Sequence, residues 1–129
     1  MHRLLKSLED DTSNPVIWCG DLNVAHNEID IFGASKAKEK QAGFTPQERA
    51  SFGDFLKESG FVDSFRHLHS GVTKYSYWNV RSGAREKNQG WRLDYIVASK
   101  GIIDKVVSSE INTEFMGSDH CPVSCEFVC

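Results

Sequence analysis

The chain has 129 residues, of which 40% are hydrophobic and 26% are charged, a composition typical of one globular domain with a modest core. No apolar run approaches the roughly 20 residues that span a bilayer, and the start lacks the apolar core of a signal peptide, so we expect an intracellular protein without a membrane partner. The net charge of −3 does not by itself indicate a nucleic-acid-binding protein.

The first predicted elements are the end of a helix in residues 1–9, where leucines have helical spacing, and a strand in residues 16–19. The strand is continuously apolar, Val-Ile-Trp-Cys, as expected for a strand buried inside a sheet. The polar residues Asp21 and Asn23 follow almost at once. Their position suits either a functional site at the edge of a sheet or an ordinary turn.

A second helix is predicted after a polar connection over residues 27–44, which is long enough to be functional or mobile. Thr45 is a candidate N-cap, a proline follows it, and Glu48 completes a capping box. Aromatic residues in the next turns form an apolar stripe, and Gly60 supplies a stop. The sequence therefore predicts a helix over residues 46–59.

The rest of the chain is predicted to consist mostly of strands. Residues 74–80 are aromatic and β-prone, and residues 91–99 alternate in polarity after a polar loop. Further strands are predicted within residues 102–112 and over residues 121–128. The order of elements predicts an α/β fold with one mixed, mainly antiparallel sheet and helices packed on it.

One carboxylate, Asp94, lies inside a predicted strand, where burial without a partner is costly. It forms either a surface ion pair with a neighbour or a contact that orients His120. His120 follows Asp119 in a Gly-Ser-Asp-His turn. An Asp–His pair fixes the tautomer of the imidazole and stabilises its charged form.

The polar residues at the strand ends favour metal-assisted phosphoester hydrolysis. Magnesium takes hard oxygen ligands and usually keeps water and phosphate in its shell, which suits Asp21 and Asp119. Asn23 completes the candidate metal set, although it is better suited to donate a hydrogen bond to a phosphate oxygen. Asp21 would activate water, and His120 and the ion would meet the developing negative charge.

Two further groups of residues leave alternatives open. A basic cluster either contacts phosphate or forms a solvated loop; it comprises Arg81, Arg85, Lys87 and Arg92. Four cysteines either form a zinc site or, as we prefer, are small buried thiols in a reducing compartment; they are Cys19, Cys121, Cys125 and Cys129.

Five blocks of sequence resemble the C-terminal half of the exonuclease III family of apurinic/apyrimidinic (AP) endonucleases. They are GDLNVAHNEIDI, AGFTPQER, DSFRH, GWRLDYIVAS and GSDHCPVS, and they run in the family's order from residue 16 to the end. Related magnesium phosphoesterases, such as pancreatic DNase, sphingomyelinases and inositol phosphatases, share blocks similar to GDLN and SDH. The GFTPQER and GWRLDY blocks favour the abasic-site endonucleases.

The resemblance implies half of the four-layer α/β sandwich of the endonuclease/exonuclease/phosphatase (DNase I-like) superfamily, as a single partial domain over residues 1–129. It implies DNA base-excision repair by metal-dependent phosphodiester hydrolysis 5′ to abasic sites, with Mg²⁺ or Mn²⁺. Related activities are 3′-phosphodiesterase and 3′-to-5′ exonuclease action. The implied partner is duplex DNA with abasic sites, and the implied location is the nucleus if the organism is eukaryotic.

The resemblance also implies roles for single residues. The implied catalytic residues are Asp21 as general base or water-positioning aspartate, Asn23 as phosphate-binding asparagine, and Asp94 with His120 as the Asp–His pair. Asp119 matches a metal-associated aspartate. The implied abasic-sugar pocket and DNA-groove loop comprise Tyr77, Trp91, Leu93, Arg81, Ser82 and Arg85.

The N-terminal half of the family supplies an asparagine, a metal-binding glutamate and a tyrosine, and none of its blocks occurs in these 129 residues. The chain thus resembles half of an enzyme, and an exposed apolar sheet face predicts a homodimer or poor stability. Three interpretations stay open. The chain is part of an abasic endonuclease, a non-catalytic DNA-binding or interaction fragment, or a phosphoesterase acting on lipid or inositol phosphates.

Overall fold

A computed structural model describes residues 1–128, which form helices, strands and short 3-10 turns. The helices are α1 (His2–Thr12), α2 (Pro46–Ser59), α3 (Ser64–Leu68) and α4 (Lys100–Ile103). The strands are β1 (Ile17–Asp21), β2 (Val62–Asp63), β3 (Asp94–Ala98), β4 (Val106–Ile111) and β5 (Val123–Phe127). The 3-10 turns are Glu28–Asp30, Lys38–Lys40 and Val80–Ser82. Within the described residues, no helix has both the length and the apolar character needed to cross a bilayer.

The strands form two antiparallel sheets rather than the single mixed sheet that was predicted. One sheet has the order β1-β3-β2, and the other pairs β4 with β5. Ser64 of α3 lies between them, because its hydroxyl donates to the Ile96 carbonyl at 2.7 Å and lies 2.8 Å from the Ser109 hydroxyl. The buried side chains of Ser64 and Ser109 therefore link the two sheets at a place where the strands do not pair through their backbones.

β1 is an exposed edge strand, so the prediction of a buried strand in residues 16–19 is wrong. The strand pairs only with β3, and Ile17 is 43% exposed. Trp18 is the best covered residue of β1, through an edge-on contact with Phe55 of α2 at 5.6 Å. Cys19 is exposed as well, which contradicts the prediction of a buried thiol there. The apolar run lacks a second covering layer within residues 1–128.

The predicted helix over residues 46–59 is confirmed as α2, together with its capping box. The Thr45 hydroxyl accepts from the Glu48 amide at 3.3 Å, and the Glu48 carboxylate accepts from the Thr45 amide at 3.1 Å. Gly60 ends the helix in the left-handed region, with φ of 74°. Phe52 of α2 packs against Tyr95 of β3, which gives the larger sheet its hydrophobic core.

The segment predicted as a strand in residues 74–80 is not a strand. Only Tyr77 forms isolated bridges, one with Trp91 and one with His120. The segment then turns, because the Asn79 side chain accepts from the Arg81 amide at 2.9 Å and caps a 3-10 turn. Tyr77 therefore brings two distant parts of the chain together without a regular ladder.

The basic residue Arg92 is fully buried and is not part of a solvated or phosphate-contacting loop. Its guanidinium donates to Asp30 at 2.7 Å and to Asp63 at 2.7 Å, and Arg66 donates to Asp30 at 2.6 Å. Burial raises the pKa of Asp30, but the hydrogen bond and charge of Arg92 outweigh burial and leave that pKa below its usual range. The ion network ties a 3-10 turn, β2 and the start of β3 together.

We predict that Arg92→Leu lowers the free energy of unfolding by about 3–5 kcal/mol, because it leaves buried Asp63 without a cation and buried Asp30 with Arg66 alone. The measurement is urea unfolding followed by circular dichroism. Arg3→Leu on the exposed face of α1 is the matched control and should change stability by less than about 0.5 kcal/mol. Equal effects of the two substitutions would contradict this account of the network.

The folded state should lose stability as the pH falls through about 6.5, because His26 is held neutral. Burial lowers the pKa of His26 below its ordinary value of 6.5, and nearby Asp30 opposes that shift only in part. The unfolded chain therefore binds the proton more readily, so acidification favours unfolding.

We expect His26→Gln to flatten the dependence of unfolding free energy on pH between pH 7.5 and pH 5. The exposed His67→Gln is the control and should retain the wild-type dependence. If both variants follow the wild-type curve, burial of His26 does not couple folding to pH.

Candidate functional site

Three side chains from distant segments converge at one edge of the larger sheet. The register of β1 against β3 places Asp21 opposite Asp94, and the Tyr77 bridge brings His120 beside them. His120 Nδ1 lies 2.8 Å from Asp94 Oδ2, and His120 Nε2 lies 4.0 Å from Asp21 Oδ2. The predicted contact between Asp94 and His120 is therefore present, and Asp94 is not merely a surface ion-pair partner.

Ser76 holds the Asp94 carboxylate in place. Its hydroxyl donates to Asp94 Oδ2 at 2.7 Å and accepts from the amides of Leu93 and Asp94 at 3.0 and 3.1 Å. An ionised carboxylate only accepts hydrogen bonds, so His120 carries its proton on Nδ1 and presents Nε2 towards Asp21. Sequence reasoning missed Ser76, whose only signal is a small hydroxyl residue between two tyrosines.

Asp21 and Asn23 occupy a tight turn after β1. The Asn23 amide donates to Asp21 Oδ1 at 2.9 Å, and Asn23 has a φ of 53°, in the left-handed region that asparagine tolerates. A Cβ on Gly43 would lie 3.1 Å from the Asn23 carbonyl and 3.3 Å from the Trp91 ring, so glycine permits this close approach. Asp21 Oδ2 is left facing His120.

The predicted sugar-pocket residues line one open cavity of about 980 Å³, together with Asn23 and His120. These residues are Tyr77, Trp91 and Leu93. The Tyr77 ring lies 4.9 Å from the His120 ring. The polar connection over residues 27–44 forms the opposite wall through residues that sequence reasoning did not single out, namely Phe32, Lys38 and Gln41. The unusual length of this connection was the only feature of the sequence that pointed to these residues.

Except for Ser82, the remaining predicted residues are not among those that line this cavity. Arg81 is exposed in the 3-10 turn Val80–Ser82, and Ser82 lines the cavity. Arg85 directs its guanidinium at backbone carbonyls of residues 113–118. Asp119 is exposed next to His120, and its carboxylate is not among the three clustered side chains.

The donor atoms of Asp21, Asp94 and His120 all lie within 4.8 Å of one another, which makes this edge a candidate divalent-metal centre. Asp94 Oδ2 and His120 Nδ1 contact each other, whereas Asp21 Oδ2 is a hard oxygen that accepts no hydrogen bond within the described residues. One carboxylate oxygen of this kind suits a cation that completes its shell with water and phosphate. Within residues 1–128 the metal-type group contains no cysteine. Cys129, one of the four cysteines considered for a zinc site, lies outside the described residues.

Comparison with known proteins identifies related chains. The model of the Endonuclease/Exonuclease/phosphatase family matches residues 2–120. The exodeoxyribonuclease of Bacillus subtilis is 52% identical over 117 residues, which are 90% of this chain and 46% of that protein. The DNA-(apurinic or apyrimidinic site) endonuclease of Dictyostelium discoideum is 51% identical over 115 residues, which are 88% of this chain and 31% of that protein.

Solved structures show the same similarity. The AP endonuclease of Leishmania major superposes with a TM-score of 0.89 at 38% identity, covering 95% of this chain and 40% of that one. The AP endonuclease of Archaeoglobus fulgidus superposes with a TM-score of 0.77 at 30% identity, covering 98% of this chain and 51% of that one. The chain spans less than half the length of the two curated relatives.

We predict that Ser76→Ala lowers the free energy of unfolding by about 1–3 kcal/mol, because it removes the hydroxyl that accepts from two amides and one of the two donors to Asp94 Oδ2. Thermal unfolding monitored by circular dichroism measures the loss. Ser51→Ala, on the exposed face of α2, removes the same hydroxyl from a site without such partners and should be nearly neutral. A loss no larger than that of the control would show that Ser76 does not hold Asp94.

Proposed function

Because the chain belongs to the Endonuclease/Exonuclease/phosphatase family, we propose that it carries the substrate pocket and part of the catalytic centre of an abasic-site endonuclease of base-excision repair. The proposed reaction is metal-dependent hydrolysis of a DNA phosphodiester 5′ to an abasic site. Relatives named exodeoxyribonuclease support 3′-to-5′ exonuclease action as a further activity, and 3′-phosphodiesterase action is proposed alongside it.

One observation carries the proposal. The hydrogen-bonded pair of Asp94 and His120 faces Asp21 at the rim of a cavity whose walls include aromatic rings. A general base, a positioned imidazole and a pocket are the parts that hydrolysis of a phosphodiester requires. They lie together in residues that are far apart along the chain.

The proposal gives each side chain a separate task. Asp21 Oδ2 accepts the proton of the attacking water, whose oxygen forms the new bond to phosphorus. The bond from phosphorus to the leaving sugar oxygen breaks as the new bond from water to phosphorus forms, and the leaving oxygen takes up a proton from solvent water. Asn23 donates to a non-bridging phosphate oxygen, and His120 Nε2, held by Asp94, faces the same phosphate.

A divalent cation, which we propose to be Mg²⁺ with Mn²⁺ as a substitute, would neutralise charge on the phosphate. Asp21, Asn23 and Asp119 are the residues of this chain proposed to hold it. Asp21 offers a free carboxylate oxygen, and Asp119 is exposed beside His120. Oxygen donors of this kind match the ligand preference of both ions.

Tyr77, Trp91 and Leu93 line the cavity and are the residues proposed to contact the sugar of a nucleotide without a base. The proposed macromolecular partner is therefore duplex DNA containing abasic sites. Exposed Arg81 suits contact with its phosphates. A homodimer through the exposed apolar sheet face stays a prediction.

We expect the chain to bind a duplex oligonucleotide carrying one tetrahydrofuran abasic analogue in preference to the intact duplex. If the site is functional in this chain, Mg²⁺ supports cleavage 5′ to the analogue. Asp21→Asn should abolish that cleavage, with a loss of at least about 100-fold, because it removes the base and keeps the shape. Gel analysis of end-labelled DNA measures both products and rate.

The same experiment separates the competing interpretations. Selective binding without cleavage by the folded chain would support the non-catalytic DNA-binding interpretation. Release of phosphate from an inositol phosphate, with no action on abasic DNA, would support a phosphoesterase with another substrate. Cleavage that persists in Asp21→Asn would contradict the role assigned to Asp21.

A further inference from the structure

The turn over residues 113–118, which leads into Asp119 and His120, contains no fully buried side chain. Phe115 is 57% exposed and Met116 is 75% exposed. Apolar packing therefore does little to hold this turn, although the turn leads into Asp119 and His120, two residues of the proposed site. A backbone with so few buried contacts would be expected to fluctuate unless polar contacts restrain it.

Those polar contacts come from Arg85. Its Nη1 donates to the Ser118 carbonyl at 2.9 Å, and its Nη2 donates to the carbonyls of Thr113 at 3.0 Å and Phe115 at 2.6 Å. The three acceptors span the whole turn. The planar guanidinium is suited to such a forked arrangement, whereas a lysine ammonium has no fixed fork.

Trp78 also holds the Arg85 guanidinium in place. The guanidinium lies 4.5 Å from the centroid of the Trp78 ring, and the indole nitrogen donates to Asn88 at 3.1 Å. The Trp78 amide in turn donates to the Asp119 carbonyl at 2.9 Å. The same pair of residues therefore holds the turn at its middle and at its end.

We propose that Arg85 is a positioning residue for the Asp119–His120 turn rather than a phosphate contact. The turn is thus formed before substrate arrives, which is the arrangement that lowers reorganisation during catalysis. Arg81, four residues earlier and exposed, is the cation of this loop that meets DNA. The DNA contact of Arg81 rests on the proposed function, whereas the positioning of the turn by Arg85 does not.

The first test measures binding of the abasic duplex as a function of salt concentration. Arg81→Ala should make the slope of log K against log[salt] shallower by about 0.9, the value for one lost phosphate contact. Arg85→Ala should leave the wild-type slope unchanged. An equal reduction by Arg85→Ala would identify Arg85 as a phosphate contact and overturn the proposal.

The second test uses the free chain and does not depend on DNA binding. Arg85→Lys retains the charge but loses the fork, so we expect the Nδ1-bound proton resonance of His120 and the amide resonances of residues 113–119 to shift. Arg81→Lys is the matched control and should leave them in place. Unchanged resonances in folded Arg85→Lys would overturn the proposal. Failure of wild type to bind DNA would count only against the proposed function.

A measurement on the wild-type chain covers the case in which Arg85 variants do not fold. We expect ¹⁵N resonances of the Arg85 guanidinium to show slow rotation in the free protein and to remain in place when the abasic duplex is added. Those of Arg81 should shift on addition. Fast rotation of the Arg85 guanidinium in the free chain would overturn the proposal.

Discussion

The buried charge of Arg92 sets the geometry on which the rest of the site depends. Side chains alternate across an extended segment, so directing Arg92 towards Asp30 and Asp63 directs Trp91 and Leu93 the other way, into the cavity. A shift of this segment by one residue would move the Arg92 guanidinium away from Asp30 and Asp63. The guanidinium would then be either buried without a partner or exposed to solvent. The ion network therefore fixes which side chains of the segment before β3 face the cavity and which face the buried carboxylates.

The candidate site is assembled from contacts between segments that are remote in sequence. Asp21 reaches it from β1, Asp94 from β3 and His120 from a turn near the end of the described chain. Tyr77 supplies the backbone bridges that join two of these segments, and Ser76 beside it supplies the hydroxyl that holds Asp94. Ser76, which is not among the residues lining the cavity, thus orients Asp94.

Features set within a few residues and one long-range contact could be predicted from sequence, whereas most of the tertiary placement could not. The bounds of α2 follow from a capping box and a terminal glycine, which act within a few residues. The Asp94–His120 pair follows from the cost of burying a carboxylate alone. By contrast, the exposure of β1, the division into two sheets and the role of Arg85 depend on which segments pack together, and an apolar run or a cluster of arginines carries no such information.

The open edge of β1 affects the behaviour of the chain in solution. Its backbone groups are unpaired on one side over Ile17–Asp21, and the exposed Ile17 and Cys19 make that edge attractive to any extended polypeptide. An edge of this kind can accept a further strand by backbone hydrogen bonding. The charged residue of β1 is Asp21, at its end, and it belongs to the candidate site. A single carboxylate therefore both opposes strand addition at this edge and takes part in the candidate site.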